Sequence, residues 1–140
     1  MLKEEIKKIL PHREPMLLVE EIEVTADGTA VGKYTVKGDE FFLQGHFPDN
    51  PIVPGVIQLE MIAQTSVALI TDRTEGVPVY TGIKNVRFKN QLLPGETAIM
   101  QVKITARKGM FVFAEGSLSA NGKLCTTMEF SFAMLPAREK

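Results

Sequence analysis

The sequence predicts an α+β domain, an antiparallel sheet of five or six strands around one long buried helix. Three observations carry that prediction. Residues 55–73, GVIQLEMIAQTSVALITDR, form the one long helical candidate, and nearly every face of it bears an apolar residue, which marks a buried helix. Beyond it the hydrophobic period changes to two: Ala98, Met100, Val102, Ile104 and Ala106 alternate with Thr97, Gln101, Lys103, Thr105 and Arg107. Turn dipeptides then punctuate the β-compatible runs at Asp27-Gly28, Pro94-Gly95, Lys108-Gly109 and Asn121-Gly122.

Taken in order, residues 3–10 (KEEIKKIL) predict a short amphipathic helix that stops before Pro11. From Leu17 to Val36 two β-compatible runs flank Asp27-Gly28, a hairpin signal. A loop rich in turn residues follows, GDEFFLQGHFPDNPIVPG, with prolines at 48, 51 and 54. The long helix then starts at Gly55 and, over 19 residues, would run about 28 Å. Leu124, Met128, Phe130, Phe132 and Met134 continue the two-residue period after Asn121-Gly122. One helix covers only one face of such a sheet, so pairing with a second copy is expected.

Composition narrows the function. At 140 residues the chain holds one core, and we read 1–140 as a single domain without repeats or linkers. A net charge of −1 argues against a general nucleic-acid binder. The N-terminus lacks an apolar run long enough for a signal peptide or a membrane span. One cysteine, Cys125, excludes an internal disulfide, and two histidines argue against a multi-histidine metal site within one chain. A reducing cytoplasm is the expected compartment. Charge is nonetheless uneven. Residues 1–60 carry eleven acidic against six basic groups, whereas residues 84–108 carry Lys84, Arg87, Lys89, Lys103, Arg107 and Lys108 against Glu96 alone. The basic segment is either a set of solvated strand faces or a docking patch for an acidic partner.

Two titratable residues stand out. Glu60 lies within the apolar helix, on one stripe with Val56, Ala63 and Val67. Its plain structural reading is a carboxylate that caps buried backbone or pairs with Arg87. Its functional reading is a general acid, kept protonated because desolvation raises a carboxyl pKa. His46, in Gly45-His46-Phe47-Pro48, is either a hydrogen-bonded loop residue or a positioned general base. Pro54-Gly55-Val56 opens the helix, where free N–H groups can bind a carbonyl oxygen as negative charge develops on it. A base, an acid and an oxyanion donor thus fall within fifteen residues, 46–60.

Phe42-Leu43-Gln44-Gly45-His46-Phe47-Pro48, Pro51, Pro54-Gly55-Val56 and Leu59-Glu60-Met61-Ile62-Ala63-Gln64 together resemble the signature of the FabZ-type 3-hydroxyacyl-acyl-carrier-protein dehydratases. Leu10-Pro11-His12-Arg13 with Leu17-Leu18-Val19, and Gly82-Ile83 through Arg87-Phe88-Lys89 with Pro94-Gly95, resemble further motifs of that family. The resemblance implies a hotdog fold, a curved antiparallel sheet wrapped around a central helix, with two subunits as the working unit and commonly a hexamer as trimer of dimers. It implies that His46 of one subunit faces Glu60 of the other. The implied reaction removes water from a (3R)-3-hydroxyacyl thioester to give the trans-2-enoyl thioester. Gly55, with Val56, would polarise the thioester carbonyl. The related isomerising FabA-type enzymes usually carry aspartate where Glu60 stands and are longer.

Two enzymatic alternatives accompany this reading: a bifunctional dehydratase and isomerase, and a hotdog acyl thioesterase. A non-catalytic acyl-binding module is a third. The resemblance implies no metal or organic cofactor, because a phosphopantetheine arm arrives with the acyl carrier protein. Ile83, Phe88 and Met100 are expected to line an acyl channel, with Phe88 as its gate. Arg107 and Lys108 at a hairpin turn, with Lys84 and Lys89, are the expected docking cations.

Overall fold

The computed structural model describes residues 1–45, 49–70 and 76–136. Its elements are α1 (Lys3–Ile9), β1 (Glu21–Val24), β2 (Ala30–Thr35), α2 (Gly55–Ser66), β3 (Gly76–Phe88), β4 (Thr97–Lys108), β5 (Phe111–Ala120) and β6 (Lys123–Pro136). The strands make one curved six-stranded sheet in the order β1-β2-β4-β5-β6-β3, and all its pairings are antiparallel. This is the hotdog architecture expected from the sequence.

Alternation decides which side of the sheet is covered. Ala98, Met100 and Val102 on β4, and Val112, Ala114 and Leu118 on β5, are buried beneath α2, while their neighbours along each strand face outward. The Asn121-Gly122 turn is a two-residue hairpin whose residues have φ of 56° and 75°. Those left-handed values suit a primed turn, matching the twist of the strands it joins.

Where the helix meets the sheet, two strand positions have no side chain. A Cβ on Gly32 would collide with Thr65, and one on Gly116 would collide with Ile62 and lie 3.2 Å from the Gln101 carbonyl. These glycines let α2 lie directly on β2 and β5.

The α2 helix is shorter than its sequence suggests. It spans 12 residues, about 18 Å, and a 3-10 turn over Val67–Leu69 continues it before Ile70 turns extended. The cause is local. Thr65 donates its hydroxyl to the Met61 carbonyl at 2.9 Å, and Ser66 donates to the Ala63 carbonyl at 2.6 Å. Such side chains compete with the backbone for carbonyls and bend the last turn. Of the predicted helix, residues 71–73 lie outside the described residues.

Position 3 in sequence is position 6 in space. After α2 the chain crosses to the far edge of the sheet and lays down β3, which pairs only with β6. This edge strand exposes Val79, Tyr80, Ile83 and Phe88.

The close seat of α2 is testable. Gly32→Ala and Gly116→Ala should each fold but lose about 1–3 kcal/mol of stability, the usual cost of overpacking a core. Denaturant unfolding would show lower midpoints with unchanged slopes. Wild-type midpoints in both variants would mean that the helix sits farther from the sheet.

Candidate active site

Glu60 lies on the second turn of α2, and its side chain is 19% exposed. Three elements converge on it. From the segment after α1, His12 brings Nε2 to 3.2 Å from Glu60 Oε2. One turn farther along α2, Gln64 donates Nε2–H to the same oxygen at 2.9 Å. From β3, the Tyr80 hydroxyl contacts Glu60 and donates to the Leu59 carbonyl at 3.3 Å. Together they border a small cavity of about 110 Å³, closed on the sheet side by Pro78 and Phe132.

The N-terminal segment is held so that His12 reaches this point. Arg13 donates to the carbonyls of Lys7, Leu10 and His12, which fixes the backbone leaving α1. Buried Gln64 accepts the Leu18 N–H at 2.8 Å and donates to the Met16 carbonyl at 2.8 Å. One carboxamide therefore ties residues 16–18 to the helix that carries Glu60.

These contacts reverse the expected electrostatics. Burial pushes the Glu60 carboxyl up, but the hydrogen bonds from His12 and Gln64 outweigh it and hold the group below the usual carboxylate range. Glu60 is thus an ionised carboxylate with a partner in its own chain, not the protonated, partnerless acid that burial alone predicts. Arg87 is not that partner. It is exposed and donates to the neighbouring Val86 carbonyl at 3.2 Å. Tyr80 shifts the other way: burial, then the facing Glu60 charge, raise its phenol, so it stays a donor.

The helix start offers the expected N–H groups. The first intrahelical bonds run from the Ile57 and Gln58 N–H groups to the Pro54 carbonyl, so the Gly55 and Val56 N–H groups precede any helical acceptor. Gln58 shapes this corner. Its Nε2 donates to the Val53 carbonyl at 3.2 Å and its Oε1 accepts from the Thr126 hydroxyl. Val53 in turn donates its N–H to the Leu92 carbonyl at 2.9 Å.

Phe88 belongs to the same corner. Its ring lies against Gly55, where a Cβ would fall 2.6 Å from the ring edge. With Val56 and Lys89 it borders an open hollow of about 500 Å³. At 56% exposure Phe88 is no core residue, and Val56 is 71% exposed.

His46 lies outside the described residues, so only its flanks enter the geometry. Phe42 and Leu43 are buried just before it in a 3-10 turn, and Gly45 has φ +79°. Of the other expected channel residues, Ile83 is exposed on β3 while Met100 is fully buried in the core. The expected docking cations divide between two places. Lys84 and Lys108 border a hollow of about 550 Å³ beside Phe113 and Ser131, whereas Lys89 stands beside Phe88 and Gly55. Arg107 is exposed at the end of β4.

Sequence reasoning had not placed His12, Gln64, Gln58 or Tyr80 in the site. His12, Gln64 and Gln58 fall within or beside the quoted motifs, so their signal was present without a role attached.

A FabA-like domain model matches residues 10–129. The chain is 39% identical over 133 residues to the 3-hydroxyacyl-acyl-carrier-protein dehydratase FabZ of Clostridium perfringens, covering 93% of this chain and 96% of that one. It is 40% identical over 136 residues to the FabZ of Clostridium beijerinckii, with coverage of 93% and 96%. Among solved structures, the dehydratase heterocomplex ApeI:P from Xenorhabdus doucetiae superposes with a TM-score of 0.80 at 22% identity, covering 95% of this chain and 91% of that chain. The E. coli PaaI protein of the phenylacetic acid degradation operon superposes with a TM-score of 0.63 at 13% identity and 81% coverage of both. These structures share the fold, and the full-length identity to the dehydratases decides within it. The chain belongs to the FabZ family of 3-hydroxyacyl-acyl-carrier-protein dehydratases and is a hydro-lyase.

Proposed function

We propose that the chain dehydrates (3R)-3-hydroxyacyl groups carried on acyl carrier protein to trans-2-enoyl groups during fatty-acid elongation, in the cytoplasm, as a dimer assembled into a trimer of dimers. The observation that carries this reading is Glu60, a partly buried carboxylate beside the exposed edge strand β3, on a helix whose first N–H groups are free of helical acceptors. No helix among the described residues is long and apolar enough to cross a membrane.

In this reading His46 of one subunit faces Glu60 of the other. His46 removes a proton from C2, and that electron pair becomes the C2–C3 double bond as the C3–O bond breaks. Gly55 and Val56 N–H groups stabilise the charge that gathers on the thioester oxygen. Glu60, ionised at rest, accepts a hydrogen bond from the C3 hydroxyl, and the proton that His46 took from C2 is relayed through it to the C3 oxygen, which leaves as water. The proton taken by His46 balances the one that departs, so the cycle needs no metal or organic cofactor. The exposed apolar residues of β3 support a second copy docking along that edge.

His46→Ala and Glu60→Gln should fold, dimerise and lose about 10²–10⁴-fold in turnover. The assay is enoyl absorbance after adding a 3-hydroxyacyl carrier substrate. Turnover near wild type in either folded variant removes that residue from the mechanism. Release of free thiol without enoyl product would point instead to a thioesterase.

Phe88, exposed over Gly55, is proposed to gate the acyl channel. Phe88→Ala should reorder the preference between short and long acyl chains. An unchanged order, with stability alone altered, would count against a gate.

For carrier docking, the Arg107→Glu/Lys108→Glu double variant should raise KM for carrier-linked substrate and flatten its salt dependence. Turnover of a small pantetheine thioester should hold. Equal losses on both substrates would mean a disturbed fold, and the docking role would be withdrawn.

A further inference from the structure

The reading above gives work to His46, Glu60 and Gly55 but none to the segment Leu10-Pro11-His12-Arg13, which delivers an imidazole to the reacting carboxylate. We propose that His12 is a positioning residue of the dehydration: its Nε2–H fixes the orientation of the Glu60 carboxylate. The proposal rests on the role given to Glu60.

The geometry leaves His12 little else to do. Its side chain is 24% exposed, and Nε2 is 3.2 Å from Glu60 Oε2. An ionised carboxylate only accepts, so this nitrogen carries the proton. Nδ1 is buried and has no hydrogen-bond partner among the described residues. A buried ring nitrogen left bare is a cost that a purely structural histidine normally avoids by bonding at both ends. Here the single polar bond of the ring goes to Glu60. The backbone beneath it is braced by Arg13, whose guanidinium bonds the Lys7, Leu10 and His12 carbonyls.

Other groups that face Glu60 are the Gln64 carboxamide from its own helix and the Tyr80 hydroxyl from β3. Neither is charged, since the Tyr80 phenol is raised. His12 is thus the partner that reaches Glu60 from outside both α2 and the sheet. Gln64 and His12 approach the same oxygen, Oε2.

The direction of the effect follows from the balance at Glu60. Burial raises its pKa, and the His12 bond is the largest opposing contribution. Remove that bond and burial has less to work against, so the carboxyl titrates at higher pH.

The experiment compares His12→Gln, His12→Asn and His12→Leu with wild type and Glu60→Gln. Glutamine extends a donor to about where Nε2 stands, asparagine is too short to reach, and leucine has no donor. We expect kcat to fall about 10²-fold in the Asn and Leu variants, the scale of a misplaced catalytic group, with KM changed little. The acid limb of their kcat profile should move to higher pH, and His12→Gln should restore both kcat and the limb. Should the Leu variant not fold, the Gln and Asn pair decides the matter. Wild-type kcat with an unmoved limb in folded Asn or Leu variants overturns the proposal. So does loss of activity in the Gln variant equal to that in Asn. If Glu60→Gln is itself active, the dehydration role of Glu60 fails first, and the His12 proposal falls with it.

Discussion

The contact of α2 with the sheet, Thr65 over Gly32 and Ile62 over Gly116, governs the arrangement of everything else. A helix seated so closely has one side committed to the core, where Met61 and Ile62 are fully buried. Its polar residues must then find partners along the seam or at its ends. Gln58 does so at the N-terminal corner, and Gln64 does so against residues 16–18. Glu60, lying between them in sequence, is left at the border between packed helix and open edge strand. It keeps a charge there because donors surround it, even though burial alone disfavours one.

Much of this was legible in the sequence, and the reason is periodicity. Strands β4 and β6 announce themselves by alternation, and the Asn121-Gly122 turn by residues that accept positive φ. The identity of Glu60 as a polar intruder on an apolar helix was equally plain. What could not be read was the partner. His12 stands far from Glu60 along the chain, in a segment with no repeating pattern, and only the folded backbone brings the two within 3.2 Å. Hence the sign of the Glu60 shift was misjudged: burial can be inferred from hydrophobic neighbours, whereas opposing hydrogen bonds cannot. The helix end was misread for a similar reason. An apolar run looks continuous through Leu69, but the Thr65 and Ser66 hydroxyls draw on the carbonyls of their own last turn.

The site also shows how one carboxylate draws on remote parts of a small fold. The carboxylate comes from α2, its imidazole from the N-terminal segment and its phenol from the edge strand. Gln64 links the first two of these through three hydrogen bonds, to the Leu18 amide, the Met16 carbonyl and Glu60 itself. The N-terminal segment accordingly belongs to the surroundings of Glu60, despite lying before the first strand. Charge on the outer side of the sheet is organised more loosely. Lys84 and Lys108 border one hollow from two separate strands, while Lys89 stands apart by the helix start.

The placement of β3 has a consequence for how the chain reaches this state. Made third among the strands, it has no partner until β6, the last, arrives to pair Gly76 with Pro136 and Phe88 with Thr126. Until then its apolar residues and unpaired backbone stand open, and closure must bring together ends of a long intervening loop. Such distant pairing slows folding and lengthens the interval in which an edge can find the wrong neighbour. During synthesis on a ribosome, β3 therefore waits beside α2 until β6 has emerged.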